Sequence, residues 1–566
     1  MFVVFEGIDG SGKTTISNRA TRALRESGLT VSHVREGGKL ASSVAQSIRD
    51  FGRDERQLGL EPSAELLLYL AREAQLFDEV TRPALDVADV VIADRFFYSA
   101  EVLACAGRGL APELIRPLVE AASRGIVPDL VILVDVDPHI ARARRRIAKI
   151  LKDAVEGPSR KGLAGASLFH RMRDGYRELA ARDPARWTVL DNSDSELGAI
   201  VELVMRAVRR ARQPGGAARS LEAAGPSRPQ SHPRAAFGPG GGLSAFLDWV
   251  DRRAPSEPAL AAYMLSGLYG QAVDERRIAL GDRAPEITAF GLQGLDDATS
   301  WRLRWRLLDR APHQVARSLG APTPDGDPKR RLTMELLSRA PADLAASTIG
   351  DDGASAFALR DALYATAPDA VVASLATLGG SAAWAIRARW LAERGGVPAL
   401  PGSGKSGFAC RSVTGLDDER SWAIRTFARG VTPIAALASL AGLSSDEAWR
   451  WRDETLRFAP KTVLGTVRGM DHPRAWALRE AAAPRCKEAV DSIWGQDGPR
   501  AWRLRESCAD LWPGAVVKSL GALAHTRRGG ALVARLLRRH PDDLSLLKHA
   551  AKIELGALAL GEMRAA

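Results

Sequence analysis

Between Gly7 and Thr14 the chain reads Gly-Ile-Asp-Gly-Ser-Gly-Lys-Thr, a G-x-x-x-x-G-K-[ST] pattern placed between an apolar run and a helical stretch. Glycines at those positions let backbone N–H groups turn inward around a phosphate chain, and the helix that follows presents its positive end. Gly7, Ile8, Asp9, Gly10, Ser11, Gly12, Lys13, Thr14 and Thr15 therefore make a candidate cradle for triphosphate oxygens. Lys13 is expected to reach the β- and γ-phosphates, and the Thr14 hydroxyl to ligate Mg²⁺.

A second charged pair, Asp94-Arg95, closes the run VVIAD. In open α/β sheets ligands bind beyond the carboxyl ends of the strands, so both side chains should face the phosphate loop. The carboxylate is suited to Mg²⁺ or its water, and the planar guanidinium to a phosphate. The stretch from Ala141 to Lys161 is the most basic of the first region. Its face of Arg142, Arg145, Arg146 and Lys149 reads either as solvated surface or as part of a lid. Phosphoryl transfer favours mobile cations that close on the transferring group, and Arg144, Arg145 and Arg160 are the candidates. A look-alike string, Pro401 to Ser406, has Ala399 in place of the first glycine and no strand before it; it is expected to be a mobile loop.

The elements that position these residues are legible as well. FVVFEG (2–7), TVSHV (30–34), DVVIAD (89–94), DLVILVDV (129–136) and WTVLD (187–191) read as strands, separated by helical runs such as 14–26 and 63–80. Near-continuous apolar strands alternating with helices indicate a parallel sheet covered on both faces. Residues 213–242 are rich in Gly, Pro, Ala, Ser and Arg and bury too little to offset their ordering entropy, which predicts a flexible linker. Twelve of the 13 tryptophans lie beyond it. The chain of 566 residues thus divides into 1–212, a linker at 213–242, and 243–566. The net charge of +11 is concentrated in the second part, since residues 1–213 hold 32 Lys/Arg against 30 Asp/Glu. No apolar run approaches the roughly 20 residues of a membrane span. The start MFVVFEGIDG lacks the marks of a signal peptide, and the four scattered cysteines read as reduced thiols, which together predict a cytoplasmic protein.

The first region resembles the thymidylate kinase family. FEGIDGSGKTT (5–15), VREGG (34–38), LLYLAREAQ (67–75), RPALDVADVVIADRFFYS (82–99), GRGL (107–110), PDLVILVDVDP (128–138) and RMRDGYRELAARDP (171–184) carry the likeness in order. It implies an α/β P-loop nucleoside monophosphate kinase fold, with ATP and Mg²⁺ as cofactors and a nucleoside monophosphate as substrate. It gives Lys13 and Thr14 to ATP and Mg²⁺; together with the residue reading above, Lys13, Asp94, Arg95 and a lid arginine such as Arg160 are the candidates for catalysis, Thr14 and Asp94 for the metal, and Arg144 for the ATP phosphates. Asp9, Arg35 and Arg95 would contact the acceptor, and Arg72 would hydrogen-bond its base. The family's base-stacking aromatic falls at Leu68, beside Tyr69, and the residue next to its small polar position falls at Glu101. Its tyrosine and glutamine fall at Leu103 and Ala104, so phosphate chemistry is retained while base-reading chemistry is altered. Tyr176 matches a tyrosine of the late helix. Members are commonly homodimers through a helical face, which a bulky extension either preserves or blocks.

The second region repeats itself. An aromatic followed three residues later by Arg recurs at Trp301/Arg304, Phe357/Arg360, Trp384/Arg387, Trp422/Arg425, Trp449/Arg452, Trp476/Arg479 and Trp502/Arg505, with room for a degenerate unit around Arg331. Pro312, Pro368, Pro433, Pro460 and Pro513 stand eleven residues after their aromatics and should open helices. Asp297, Asp418, Asp471 and Asp497 stand where N-caps belong. These features predict an all-α solenoid of about 27-residue repeats, similar to short HEAT-type units. The arginines either line a groove able to hold nucleic-acid phosphates or pair with capping aspartates of neighbouring units. Two functions follow. One is an ATP- and Mg²⁺-dependent nucleoside monophosphate kinase, with dTMP as the leading acceptor. The other is a nucleotide-dependent switch or scaffold with weak or respecified kinase activity, whose repeats bind a protein or nucleic-acid partner.

Overall fold

The computed structural model describes residues 1–35, 40, 42–54, 57, 59–152, 164–165, 167–193, 197–212, 241–320, 327–394 and 402–565. The chain divides into two compact units, whose main parts are Met1–Arg146 and Ala235–Ala566.

The first unit is built on five parallel strands, β1 (Phe2–Glu6), β2 (Val31–His33), β3 (Val90–Asp94), β4 (Leu130–Asp135) and β5 (Trp187–Asp191), in the order β2-β3-β1-β4-β5. The strands fall where the apolar runs predict them, trimmed by a residue or two at their ends. β1, β3 and β4 are buried along their whole length, as expected of strands covered on both faces. Helices Lys13–Glu26 and Leu197–Ala211 set Ile16, Ala20, Leu24, Ile200, Val204 and Val208 against one face of the sheet. Register then decides the site. Phe5 pairs with Asp94, so the loop after β1 and the Asp94-Arg95 corner leave adjacent strands side by side. Asp135 pairs with Asp191, which brings Asn192 to the same edge.

The second unit is helical throughout its described residues. Each proline at the predicted spacing opens a short helix, as in Pro312–Arg317, Pro368–Ala373, Pro433–Ala438, Pro460–Thr466 and Pro513–Leu520. Proline suits this place because the first-turn N–H it lacks has no intrahelical partner. Successive short helices stack in series, from Pro285–Phe290 through Pro312–Arg317, Pro341–Ala346 and Pro368–Ala373 onward.

Four expectations are corrected here. The seven repeat arginines form no exposed ladder and do not pair with neighbouring caps: Arg304, Arg360, Arg387, Arg425, Arg452, Arg479 and Arg505 are 0–1% exposed. Each donates through Nη2 to the carbonyl twelve residues earlier, at 2.5 to 3.2 Å. Six donate through Nε to a Ser or Thr hydroxyl of the following short helix at 2.9–3.0 Å. Each also lies 4.5–5.1 Å from the centroid of its own aromatic ring. The guanidinium is thus a cross-brace that satisfies carbonyls at helix ends. Burial pulls six of them down to about 10, which leaves them charged at neutral pH.

The second correction concerns the aspartates. Asp297 and Asp418 cap their helices, but Asp471 and Asp497 accept from the indole N–H of Trp476 and Trp502 at 2.7 and 2.6 Å. Third, the string at 401–406 does not read as a loop over its described part. Gly402–Ser412 is helical and buries Ala409 and Cys410; Pro401 lies outside the described residues. Fourth, a unit was missed. Arg277 is 2% exposed and donates to Leu265 O at 3.0 Å in the same manner, with Asp274 where other units carry the aromatic. Pro285, eight residues on, was the available signal.

Candidate active site

The phosphate loop is shaped by backbone that other residues would distort. Gly7 and Gly10 have φ of 137° and 93°, and a Cβ on either would sit 2.4 Å from Val134 O or 2.3 Å from Ala141 O. No side chain caps helix Lys13–Glu26, so its first N–H groups remain oriented to the loop. Lys13 folds back over it, donating from Nζ to Ile8 O at 2.8 Å and to Ser11 Oγ at 3.4 Å. Burial and the nearby Arg95 pull its ammonium down to about 7, against the opposing attraction of Asp94, Asp9 and Glu6. Thr14 Oγ1 donates to Asp94 Oδ2 at 2.5 Å. That hydroxyl and carboxylate form an oxygen pair at the mouth of the loop, a donor set that fits Mg²⁺ with water completing the shell.

Arg95 occupies a left-handed conformation, φ 81°, that arginine rarely adopts. The strain turns its guanidinium back beneath the loop, where it donates to Gly7 O at 3.0 Å, Ser99 Oγ at 2.9 Å and Tyr176 OH at 3.2 Å, and pairs with Asp9. Such conformations cost on the order of 1–3 kcal/mol and persist when surrounding bonds over-determine them. Glu6 supplies the base of this network. It is wholly buried, and its oxygens accept from Phe96 N at 2.9 Å and Ser99 Oγ at 2.6 Å. Burial raises its carboxyl above the ordinary range, while Arg95 and those bonds pull the other way.

A second cluster lies along helix Pro62–Leu76. Arg35 donates to Asp94 O at 3.1 Å and to Glu73 Oε1 at 2.7 Å, and Arg72 donates from Nε to the same oxygen at 2.9 Å. Burial alone would raise Glu73; the guanidiniums of Arg35 and Arg72 outweigh it and hold the carboxyl below its usual range. Arg72 also stacks over the Tyr69 ring at 4.0 Å. Across the loop, both Nη atoms of Arg144 donate to Asn192 O at 3.1 Å, and Asn192 Nδ2 donates to Ser11 O at 2.6 Å.

Lys13, Thr14, Asp9, Asp94, Arg95, Arg35 and Arg72 are therefore brought together at the carboxyl edge of the sheet, with Arg144 behind the loop. Thr15 is exposed on the first turn, Leu68 is half-buried beside Tyr69, and Leu103 and Ala104 are buried. Glu101 accepts instead from Arg116 at 3.3 Å. Arg160 lies outside the described residues, as do Glu36, Gly37 and Gly38. Glu6, Glu73, Ser99 and Asn192 were missed in the sequence. Glu6 had a signal, a lone acid ending an otherwise apolar strand; Glu73 and Ser99 fall inside the quoted segments 67–75 and 82–99 without a role attached, and Asn192 had no signal, because only the sheet edge assembles them.

A parallel sheet with this loop after its central strand, and with an Asp-Arg corner on the neighbouring strand, defines a P-loop kinase fold. Residues 5–204 match the thymidylate kinase family. A thymidylate kinase of Solidesulfovibrio magneticus is 40% identical over 195 residues, 34% of this chain and 92% of that protein. Another, from Nitratidesulfovibrio vulgaris, is 39% identical over 212 residues, 37% of this chain and 96% of that protein. A solved thymidylate kinase from Ehrlichia chaffeensis is 27% identical and covers 37% of this chain and 98% of that one, with a TM-score of 0.29. The chain belongs to the thymidylate kinase family through its N-terminal unit. Residues beyond 204 lie outside that family match.

Proposed function

We propose that residues 1–212 form a kinase domain that transfers the γ-phosphoryl group of ATP to the 5′-phosphate of dTMP, and that 213–242 join it to a helical-repeat domain, 243–566. The observation that supports this reading is the convergence of Lys13, the Thr14–Asp94 pair, the Arg95–Asp9 pair and the Arg35–Glu73–Arg72 cluster on one sheet edge. Lys13 and the loop hold the triphosphate. Thr14 and Asp94 would hold Mg²⁺, which when bound neutralises charge on the β- and γ-oxygens. Arg95, fixed by Asp9, Ser99 and Tyr176, and Arg35, fixed by Glu73, orient the acceptor phosphate. Arg72, placed over the Tyr69 ring and bound to Glu73, is the guanidinium that meets the base. Little covalent chemistry is asked of the protein, and positioning with electrostatic stabilisation carries the reaction.

ADP release measured with ATP, Mg²⁺ and a panel of nucleoside monophosphates tests the assignment. Turnover confined to dTMP and dUMP is expected. No turnover with any acceptor, despite ATP binding, refutes it, and turnover of a purine acceptor refutes the choice of base.

The Lys13 amine adds a pH dependence with a defined sign. Below pH 7 it carries its proton before nucleotide arrives. Above pH 7 the bound triphosphate must draw that proton from solvent, so ATP affinity falls by up to about tenfold per pH unit between 7 and 9. Calorimetry at pH 8 in buffers of different ionisation heat should register uptake approaching one proton. Zero uptake contradicts the role given to Lys13.

A further inference from the structure

Ser11 lies between two glycines of the phosphate loop, and both take left-handed backbone conformations, Gly10 at φ 93° and Gly12 at φ 94°. A peptide flanked by glycines turns over at little steric cost. Its orientation nevertheless decides what the loop presents to a ligand. In a planar trans peptide the C=O of Ser11 and the N–H of Gly12 point to opposite sides. With Ser11 O held away from the cradle, the Gly12 N–H points into it, and among the described residues no acceptor meets that N–H. With the peptide turned over, a carbonyl oxygen would face the phosphate chain instead.

One side chain holds this peptide from outside the loop. Asn192, the first residue after β5, donates from Nδ2 to Ser11 O at 2.6 Å across 181 residues of chain. It is 7% exposed, so water competes little for the bond. A carbonyl oxygen only accepts, which fixes the amide with its NH₂ toward the loop. Asn192 is itself anchored. Its backbone N–H donates to Asp135 O at the end of β4 at 2.7 Å, and its carbonyl accepts from both Nη atoms of Arg144 at 3.1 Å. Ser193 Oγ accepts from Asp137 N at 2.9 Å, which ties down the next residue as well. The fit against the loop is close, since a Cβ on Gly12 would lie 2.7 Å from Asn192 Nδ2. We propose that Asn192 is a positioning residue of the phosphate loop, keeping the Gly12 N–H turned toward the donor's phosphate chain. It acts through the loop backbone and touches no reacting atom. The inference rests on the phosphate-loop reading given above and adds that the loop's conformation is imposed from β5. A loop oriented beforehand binds its ligand without first being ordered.

The test uses the full chain with tripolyphosphate as the probe, which carries the phosphate chain without a base, and ATP for comparison. Asn192→Leu keeps the side-chain volume and removes the donor. It should weaken tripolyphosphate and ATP binding alike by about tenfold. In turnover the KM for ATP should rise by a similar factor while the KM for dTMP stays within about twofold. Lost affinity for ATP but not for tripolyphosphate would put the effect at the base, through Arg144, and overturns the proposal. So does unchanged affinity for both ligands, or an equal rise in both KM values, which a generally loosened domain would produce. Should the leucine variant not fold, the unmutated protein decides: the Gly12 amide resonance should move on addition of tripolyphosphate, and a resonance that stays put overturns the assignment. An unmutated chain that binds no tripolyphosphate refutes the phosphate-loop reading itself, whereas binding retained by Asn192→Leu refutes only the role of Asn192.

Discussion

Replacing Lys13 with alanine should lower kcat/KM for phosphoryl transfer by about 10²–10³-fold, corresponding to about 3–4 kcal/mol of lost transition-state stabilisation. The size of the effect follows from where the ammonium sits. It is buried over the loop, fixed by Ile8 O at 2.8 Å, among the carboxylates of Asp9, Asp94 and Glu6. A cation held in place before the reaction, where water is excluded, needs no reorganisation as charge develops on the transferring group. Arginine should not rescue the variant, because its longer planar head cannot occupy the space between Ile8 O and Ser11 Oγ. The unfolding midpoint read by tryptophan fluorescence should stay put, since twelve of the 13 tryptophans lie beyond residue 212. Turnover within tenfold of the parent would remove Lys13 from the mechanism.

The same fluorescence signal reports the second large effect. Arg452→Ala should destabilise the repeat unit by about 3–5 kcal/mol, through orphaned buried acceptors and the cavity left behind. Arg452 is 0% exposed and donates to Leu440 O at 2.7 Å and Thr466 Oγ1 at 2.9 Å. Its guanidinium lies 4.5 Å from the Trp449 ring, which is itself stacked on His472 at 4.7 Å. Removing it strands acceptors at the ends of two short helices and unseats an indole that is 1% exposed. Arg452→Lys should recover less than half of the loss, because an ammonium cannot span both acceptors in one plane. Denaturant titration of the three proteins measures this. An alanine variant within about 1 kcal/mol of the parent would mean that the brace is dispensable.

The two regions differ in how much of each was visible beforehand. The phosphate loop, the strands and the Asp94-Arg95 corner were legible because their signals are local: glycines at fixed offsets, apolar runs of strand length, and charges at a strand's end. Proline-led helices were legible for the same reason. The role of the repeat arginines was not. An arginine three residues after a tryptophan looks alike whether its head reaches solvent or a carbonyl twelve residues earlier, and only the stacking of successive short helices chooses between them. The displaced aspartates show the same limit, since Asp471 and Asp497 lie close enough to a helix start to cap it but bind an indole instead.

By itself the sequence determined the parallel α/β layering of the first unit and the helical repetition of the second, and it marked the side chains that are candidates for handling phosphate. Those properties follow from periodicity and backbone permissiveness, which act over a few residues. Tertiary structure alone decided that Glu6, Ser99 and Tyr176 support Arg95, that Glu73 joins Arg35 to Arg72, and that the repeat arginines are internal. Each of these depends on strand register or helix stacking across long chain separations, where burial turns a polar side chain from a surface group into a required hydrogen-bond partner.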